Sequence, residues 1–284
     1  MESDPFREGL LSYFDALQER VSTKSGDWSV KGFIDVYQRI YTISLDTKVL
    51  SKVLELLMFP VIQRFAEEHG YQLVIARVQN QYPDLSLISH SDDQCFALDI
   101  KTTYRTRADK DEAVRVKLGT FGGYFRVRDR PVSSTFAYNR YAKHYVLGVV
   151  YTRAAGIDER QVYDIADLNH IPSVAHDFQF FLQEKYRIGS DRPGSGNTRN
   201  IGSTTYLDRL MNGTGVFAGL GVEVFDDYWM NYQTRAMARE AGYAEPPYTN
   251  LKTYQAFKRQ GAAILNIPAN ELDTEAEEDE IDEE

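Results

Sequence analysis

At Gly70 the hydrophobic pattern of this chain changes period, and that change constrains the fold more than any other feature. Before it, Val49, Leu50, Val53, Leu54, Leu57, Met58, Val61, Ile62 and Phe65 recur at helical spacing. Asp46 offers a side-chain acceptor to the open N–H groups at the start, Gly70 supplies a stop, and Pro60 predicts a kink between them. After Gly70 come short apolar runs bounded by turns: Tyr71 to Val78, Leu85 to Ile88, and Cys95 to Lys101, the last two joined by SHSDDQ. These predict a hairpin that continues into further sheet. An amphipathic helix is expected over Pro5 to Val21, with Phe6, Leu10, Leu11, Phe14, Leu17 and Val21 on one side, and residues 30 to 45 suggest short strands. Strands are expected again at His144 to Tyr151 and Gln161 to Ile165, then a polar loop from Gly189 to Ser203 and helices after Thr204 and Glu223. The expected class is α/β or α+β, a central mixed sheet flanked by helices.

Neither an internal repeat nor a linker interrupts the pattern, so one domain is expected over residues 1–270, followed by an acidic tail at 271–284. The tail holds ten of the 42 acidic residues and no Lys or Arg. It repels itself and has few apolar groups to offset its ordering entropy, so disorder is expected there. Without it, 32 acids face 32 bases. The formal charge of -10 therefore does not exclude a basic, nucleic-acid-binding cleft. The longest apolar stretch, Tyr145 to Tyr151, is far short of the roughly 20 residues a spanning helix needs, and MESDPFREGL lacks the parts of a signal peptide. An intracellular protein is expected. Cys95 is the single cysteine, which excludes an internal disulfide and a cysteine-based zinc site.

Several common sites are excluded by their spacing. No HExxH is present; GSDRPGS has Ser195 where a phosphate-binding loop needs lysine; GSGNTR has Arg199 at the third glycine of a dinucleotide fingerprint; and no GxSxG surrounds Ser195. What remains is acidic. Asp84 follows Pro83 at the start of one strand, Asp99 lies near the end of the next, and Lys101 is two residues on. Residues two apart on a strand share a face, so Asp99 and Lys101 project together while Ile100 turns to the core. A hairpin brings Asp84 beside them. Two carboxylates and an ammonium suit a hard cation such as Mg²⁺, which takes oxygen ligands, keeps waters and accepts substrate phosphate. The same residues also read as a turn cap and a surface ion pair.

The arrangement PD, fourteen residues, DIK, with FALDI leading into it, resembles the PD-(D/E)xK nuclease core. SLDTKVLSKVLELLMFPVIQRFAEEHGY, QNQYPDLSL, ALDIKTTYR, GVVYTR and PGSGNTRNIGS, in that order, resemble the EcoRV-type type II restriction endonucleases over most of residues 44 to 240. The resemblance implies a restriction-endonuclease-like fold and Mg²⁺-dependent cleavage of both strands of a palindromic duplex, GATATC with blunt ends. It also implies a homodimer, a cognate DNA methyltransferase that protects host DNA, no membrane association, and a place in a bacterial cytoplasm. A repair or junction-resolving nuclease with the same core, and a noncatalytic DNA-binding protein, are the alternatives.

Carried over residue by residue, the resemblance makes Asp84 and Asp99 metal-binding carboxylates and Lys101 the catalytic lysine. Glu55 becomes an additional acid at the site and Ile100 a further metal contact. By spacing alone, Glu55 reads as the partner of Lys52 on a solvated helix face. The loop Gly194, Ser195, Gly196, Asn197, Thr198 with Arg199 corresponds to the loop that enters the major groove, where an Asn amide can read adenine. Gln79 and Asn80 correspond to a loop at the minor groove; Lys48, Thr102, Thr103 and Thr120 fall at positions for backbone contacts. Three positions depart from the pattern: Arg199 stands in place of a second threonine, Gln81 in place of a histidine, and Thr234 in place of an arginine, with Arg235 adjacent.

Overall fold

Asp46 starts the long helix as its sequence predicts, its carboxylate accepting the Lys48 N–H at 2.8 Å and the Val49 N–H at 3.4 Å. The computed structural model describes residues 3–78, 80–106, 109–156, 161–194 and 199–259. Its helices are α1 (Pro5–Leu11), α2 (Phe14–Val21), α3 (Thr47–Glu68), α4 (Gly123–Arg126), α5 (Lys185–Ile188), α6 (Leu207–Asn212), α7 (Val222–Asn231), α8 (Arg235–Glu240) and α9 (Leu251–Arg259). Its strands are β1 (Gly32–Ile34), β2 (Arg39–Thr42), β3 (Tyr71–Ile75), β4 (Leu85–Ser89), β5 (Cys95–Tyr104), β6 (Lys117–Thr120), β7 (Tyr141–Arg153), β8 (Val162–Asp164), β9 (Ala175–Glu184), β10 (Gly189–Pro193) and β11 (Asn200–Ser203). The described residues divide between two compact units, one within Met1–Val114, Arg140–Leu182 and Thr205–Leu207, the other within Arg115–Asn139, Gln183–Thr204 and Asp208–Glu284. Each unit is assembled from separate stretches of chain, which is why no linker marks a boundary between them. No helix among the described residues is long and apolar enough to cross a membrane.

The first unit is built on a mixed sheet of order β3-β4-β5-β7-β9, antiparallel from β3 to β5 and parallel between β5 and β7. Leu98, Ile100, Leu147 and Val149 on one sheet face share a core with Leu50, Leu54, Met58 and Phe65 of α3 and with Phe6 and Leu17 of α1 and α2. Each such side chain, taken fully from water, contributes roughly 1.5–3 kcal/mol, and together they fix α3 against the sheet. On β7, Gly148 leaves room for Phe181, whose ring occupies the space a Cβ would take. A separate sheet of order β1-β2-β8 carries the strand predicted at Gln161 to Ile165.

Two expectations are corrected here. The predicted helix over Pro5 to Val21 is two helices, broken where the Ser12 hydroxyl donates to the Gly9 carbonyl at 2.7 Å and Tyr13 takes φ -94°, ψ 3°. The predicted polar loop from Gly189 to Ser203 begins and ends in β10 and β11, which pair with each other, β11 pairing in turn with β6 in the second unit. The buried residues of those strands include Ser190, Asp191 and Ser203, so hydrophobic alternation gave no signal for them.

Candidate active site

The Leu85–Leu98 pair of β4 and β5 sets the register that brings Asp84 opposite Asp99. Beyond that pair the Asp84 carbonyl accepts the Ala76 N–H at 3.1 Å, which holds the strand end, and its Oδ2 accepts the Ile100 N–H at 2.7 Å. Alternation along β5 then puts Asp99 and Lys101 on one face and Ile100, in the core, on the other. Lys101 Nζ lies 2.6 Å from Asp99 Oδ2 and 3.9 Å from Asp84 Oδ2, and donates to the Ile100 carbonyl at 3.3 Å. The three charged residues that strand alternation and a hairpin predict to meet do so.

Two carboxylates against one ammonium leave the group short of positive charge. Burial raises the Asp84 carboxyl from its ordinary 3.8 to about 7, and the facing Asp99 adds to the rise against the pull of Lys101 and the Ile100 N–H. Burial acts to lower Lys101, but Asp99 and Asp84 outweigh it and hold the ammonium above its ordinary value. The geometry therefore favours Lys101 in its charged form. One oxygen of Asp99 is fully buried and meets the ammonium as an ion pair without a well-aligned hydrogen bond.

Glu55 lies on α3 in an ion pair with Lys52, Nζ to Oε2 at 2.7 Å, the arrangement its spacing suggests. It is near enough to favour the charged form of Lys101, and Lys52 is near enough to be influenced by Asp84. Lys52 thus belongs to the electrostatic surroundings of the site, a relation between residues distant in sequence for which spacing offers no signal. Among the described residues no three His, Cys, Asp or Glu side chains converge to hold a metal ion. The donor set still fits a hard cation: carboxylate oxygens only, crowded, desolvated and under-compensated. A cation there would depend on water and substrate phosphate for its remaining ligands.

The remaining positions lie in different settings. Lys48 and Asn80 are exposed. The Thr102 hydroxyl pairs with that of Ser51 on α3, and Thr103 is buried, its hydroxyl donating to the Val114 carbonyl at 2.5 Å. In the second unit, Thr120 Oγ1 accepts the Gly122 N–H at 2.9 Å, the Gly194 N–H donates to the Asn200 carbonyl at 2.8 Å, and Arg199 is exposed. Gln79, Ser195, Gly196, Asn197, Thr198 and the acidic tail lie outside the described residues.

A family model described as restriction endonuclease EcoRV matches residues 24–259. A type II restriction enzyme EcoRV from Escherichia coli is 34% identical over 237 residues, which cover 82% of this chain and 92% of that relative.

Proposed function

Since the chain belongs to the EcoRV family of restriction endonucleases and is a site-specific deoxyribonuclease, we propose that it cuts GATATC at its centre in both strands, leaving blunt ends, with Mg²⁺ as cofactor. The observation that carries this reading is the meeting of Asp84, Asp99 and Lys101 at one strand end. Asp84 and Asp99 would hold the cation, with the Ile100 position beside them and Glu55 as an auxiliary acid once released from Lys52. Bound there, Mg²⁺ would supply charge to a phosphoryl oxygen and acidify a water.

The chain's own groups do the rest. The Lys101 ammonium, held cationic by Asp99, stabilises negative charge that develops on the phosphoryl oxygens and orients the attacking water. The Ile100 N–H fixes Asp84, so the carboxylate is aimed before substrate arrives. Water adds to phosphorus as the bond to the 3′ oxygen breaks; the water loses a proton and the leaving oxygen gains one, giving 5′-phosphate and 3′-hydroxyl ends. Gly194 to Thr198 read the major groove, Asn197 offering its amide to adenine; Gln79 and Asn80 approach the minor groove; Lys48, Thr102 and Thr120 lie along the backbone, whereas Thr103 is buried with its hydroxyl on the Val114 carbonyl and does not reach it.

A palindromic target calls for a two-fold protein, and we propose a homodimer. Its support is β1 and the turn that leads from it to β2, where Phe33, Ile34, Val36 and Tyr37 are 52%, 57%, 89% and 76% exposed. Such an enzyme acts in the cytoplasm of its bacterium beside a methyltransferase that protects the same site. The test is digestion of a sequenced plasmid with Mg²⁺ and sequencing of the ends. Blunt, 5′-phosphorylated ends between GAT and ATC are expected; uncut plasmid overturns the catalytic reading, and defined ends elsewhere overturn the target.

A further inference from the structure

In the second unit two arginines, Arg126 and Arg199, approach the same short segment, Phe121 and Gly122. Phe121 connects them: its N–H donates to the Arg199 carbonyl at 2.8 Å, and the Arg126 guanidinium lies 5.8 Å from its ring centroid. The Arg199 side chain passes Gly122, its Cδ 3.8 Å from where a Cβ on that glycine would stand. Arg126 Nη2 donates to the Tyr232 carbonyl at 2.5 Å, while its Nε is buried without a hydrogen-bond partner. Among the described residues neither guanidinium has a carboxylate partner.

Burial lowers Arg126 from its ordinary value, and the neighbouring charge of Arg199 lowers it further. A desolvated guanidinium beside a second one is unfavourable alone and becomes favourable when an anion enters between them. The planar fork of arginine suits the paired oxygens of a phosphodiester. We propose that Arg126 and Arg199 together clamp one phosphodiester group of the DNA backbone, beside β10 and β11. This rests on the reading of those strands as facing DNA and adds Arg126, which no sequence motif singles out.

The test is metal-free binding of the full-length protein, Arg126→Gln and Arg199→Gln to a GATATC duplex between 50 and 200 mM salt. Losing one neutralised phosphate removes about 0.9 from the slope of log affinity against log salt, so the parent's advantage should shrink by about 3.5-fold per subunit over that range. A symmetric pair of neutral methylphosphonate linkages, moved along the duplex, should reach a position where parent and variants bind equally. Arg199 is exposed, so its variant keeps the test decisive if Arg126→Gln folds poorly. Parental slope in Arg199→Gln, or an advantage that persists at every neutralised position, overturns the clamp. Asn197→Ala, tested at constant salt on base-changed duplexes, separates the two ideas: lost discrimination there with parental slopes here sinks the clamp and leaves base reading standing.

Discussion

Asp84, the residue before β4, stands next to the Leu85–Leu98 pair and faces Asp99 of β5, and burial with that facing charge raises the Asp84 carboxyl to about 7. Its ordinary value is 3.8, so between about pH 4 and 7 the folded chain keeps a proton that the unfolded chain has released. Stability contributed by this group is therefore lost as pH rises through that window and stays lost above it. Asp84→Asn cannot ionise and still offers an oxygen to the Ile100 N–H. In calorimetry with a chelator, its Tm should exceed the parent's at pH 8 and match it at pH 4. A lower Tm at pH 8 would mean that the ionised carboxylate stabilises the fold.

The same proton competes with a cation for the Asp84 oxygens. Magnesium binding to the parent should release a proton near pH 6 and release almost none by pH 8.5, read from titration calorimetry in buffers of different ionisation enthalpy. Cleavage at limiting magnesium should rise as pH passes through 7. Proton release that is the same at both pH values would remove Asp84 from the metal-binding set.

Asp99 and Lys101 should separate in what they affect. Lys101→Ala should lower turnover on the order of 10²–10³-fold while leaving magnesium binding in place, since its ammonium acts on the water and the phosphoryl oxygens. Asp99→Ala should lower turnover and weaken magnesium binding together. Near-parental cleavage by either variant rejects its assigned role.

Gly148 pairs with Lys101 in the parallel register, and a Cβ placed there would stand 1.9 Å from the Phe181 ring. Gly148→Ala should cost about 1–3 kcal/mol or more, because Phe181 is buried and its ring already fills the space of the added methyl. The Tm should fall by several degrees, and adding Phe181→Leu should recover part of the loss. Unchanged Tm in the single variant would show that β7 shifts without cost.

The charged centre was legible in the sequence because strand alternation and one hairpin are enough to bring Asp84, Asp99 and Lys101 together. Helix α3 was legible for a similar reason: its stripe and its Asp46 cap are local. What escaped depends on packing between distant segments. Strands β10 and β11 bury Ser190, Asp191 and Ser203, so their pattern reads as loop. Arg126 acquires its neighbour Arg199 only through the fold, and Lys52 acquires its relation to Asp84 in the same way. Gly148 reveals its importance only once Phe181 is seen against it.

Asn197 stands in GSGNT, within residues 194 to 199 of the proposed base-reading loop, and it should govern discrimination more than affinity. A two-point amide contact to adenine is worth about 1–3 kcal/mol against the wrong base, whereas affinity for unrelated duplex comes mainly from phosphate charge, which Asn197→Ala leaves untouched. In a homodimer reading a palindrome the loss occurs twice. Gly196→Ala should show a similar defect, because a side chain there hinders close approach of the backbone to base edges. The measurement compares parent and variants on one GATATC duplex and on duplexes changed at single base pairs, all at one salt concentration. Cleavage of GATATC should fall steeply while binding to unrelated duplex stays within a few fold of the parent. If Asn197→Ala cuts GATATC at the parental rate with unchanged discrimination, another segment reads the bases and the proposed target loses its principal support.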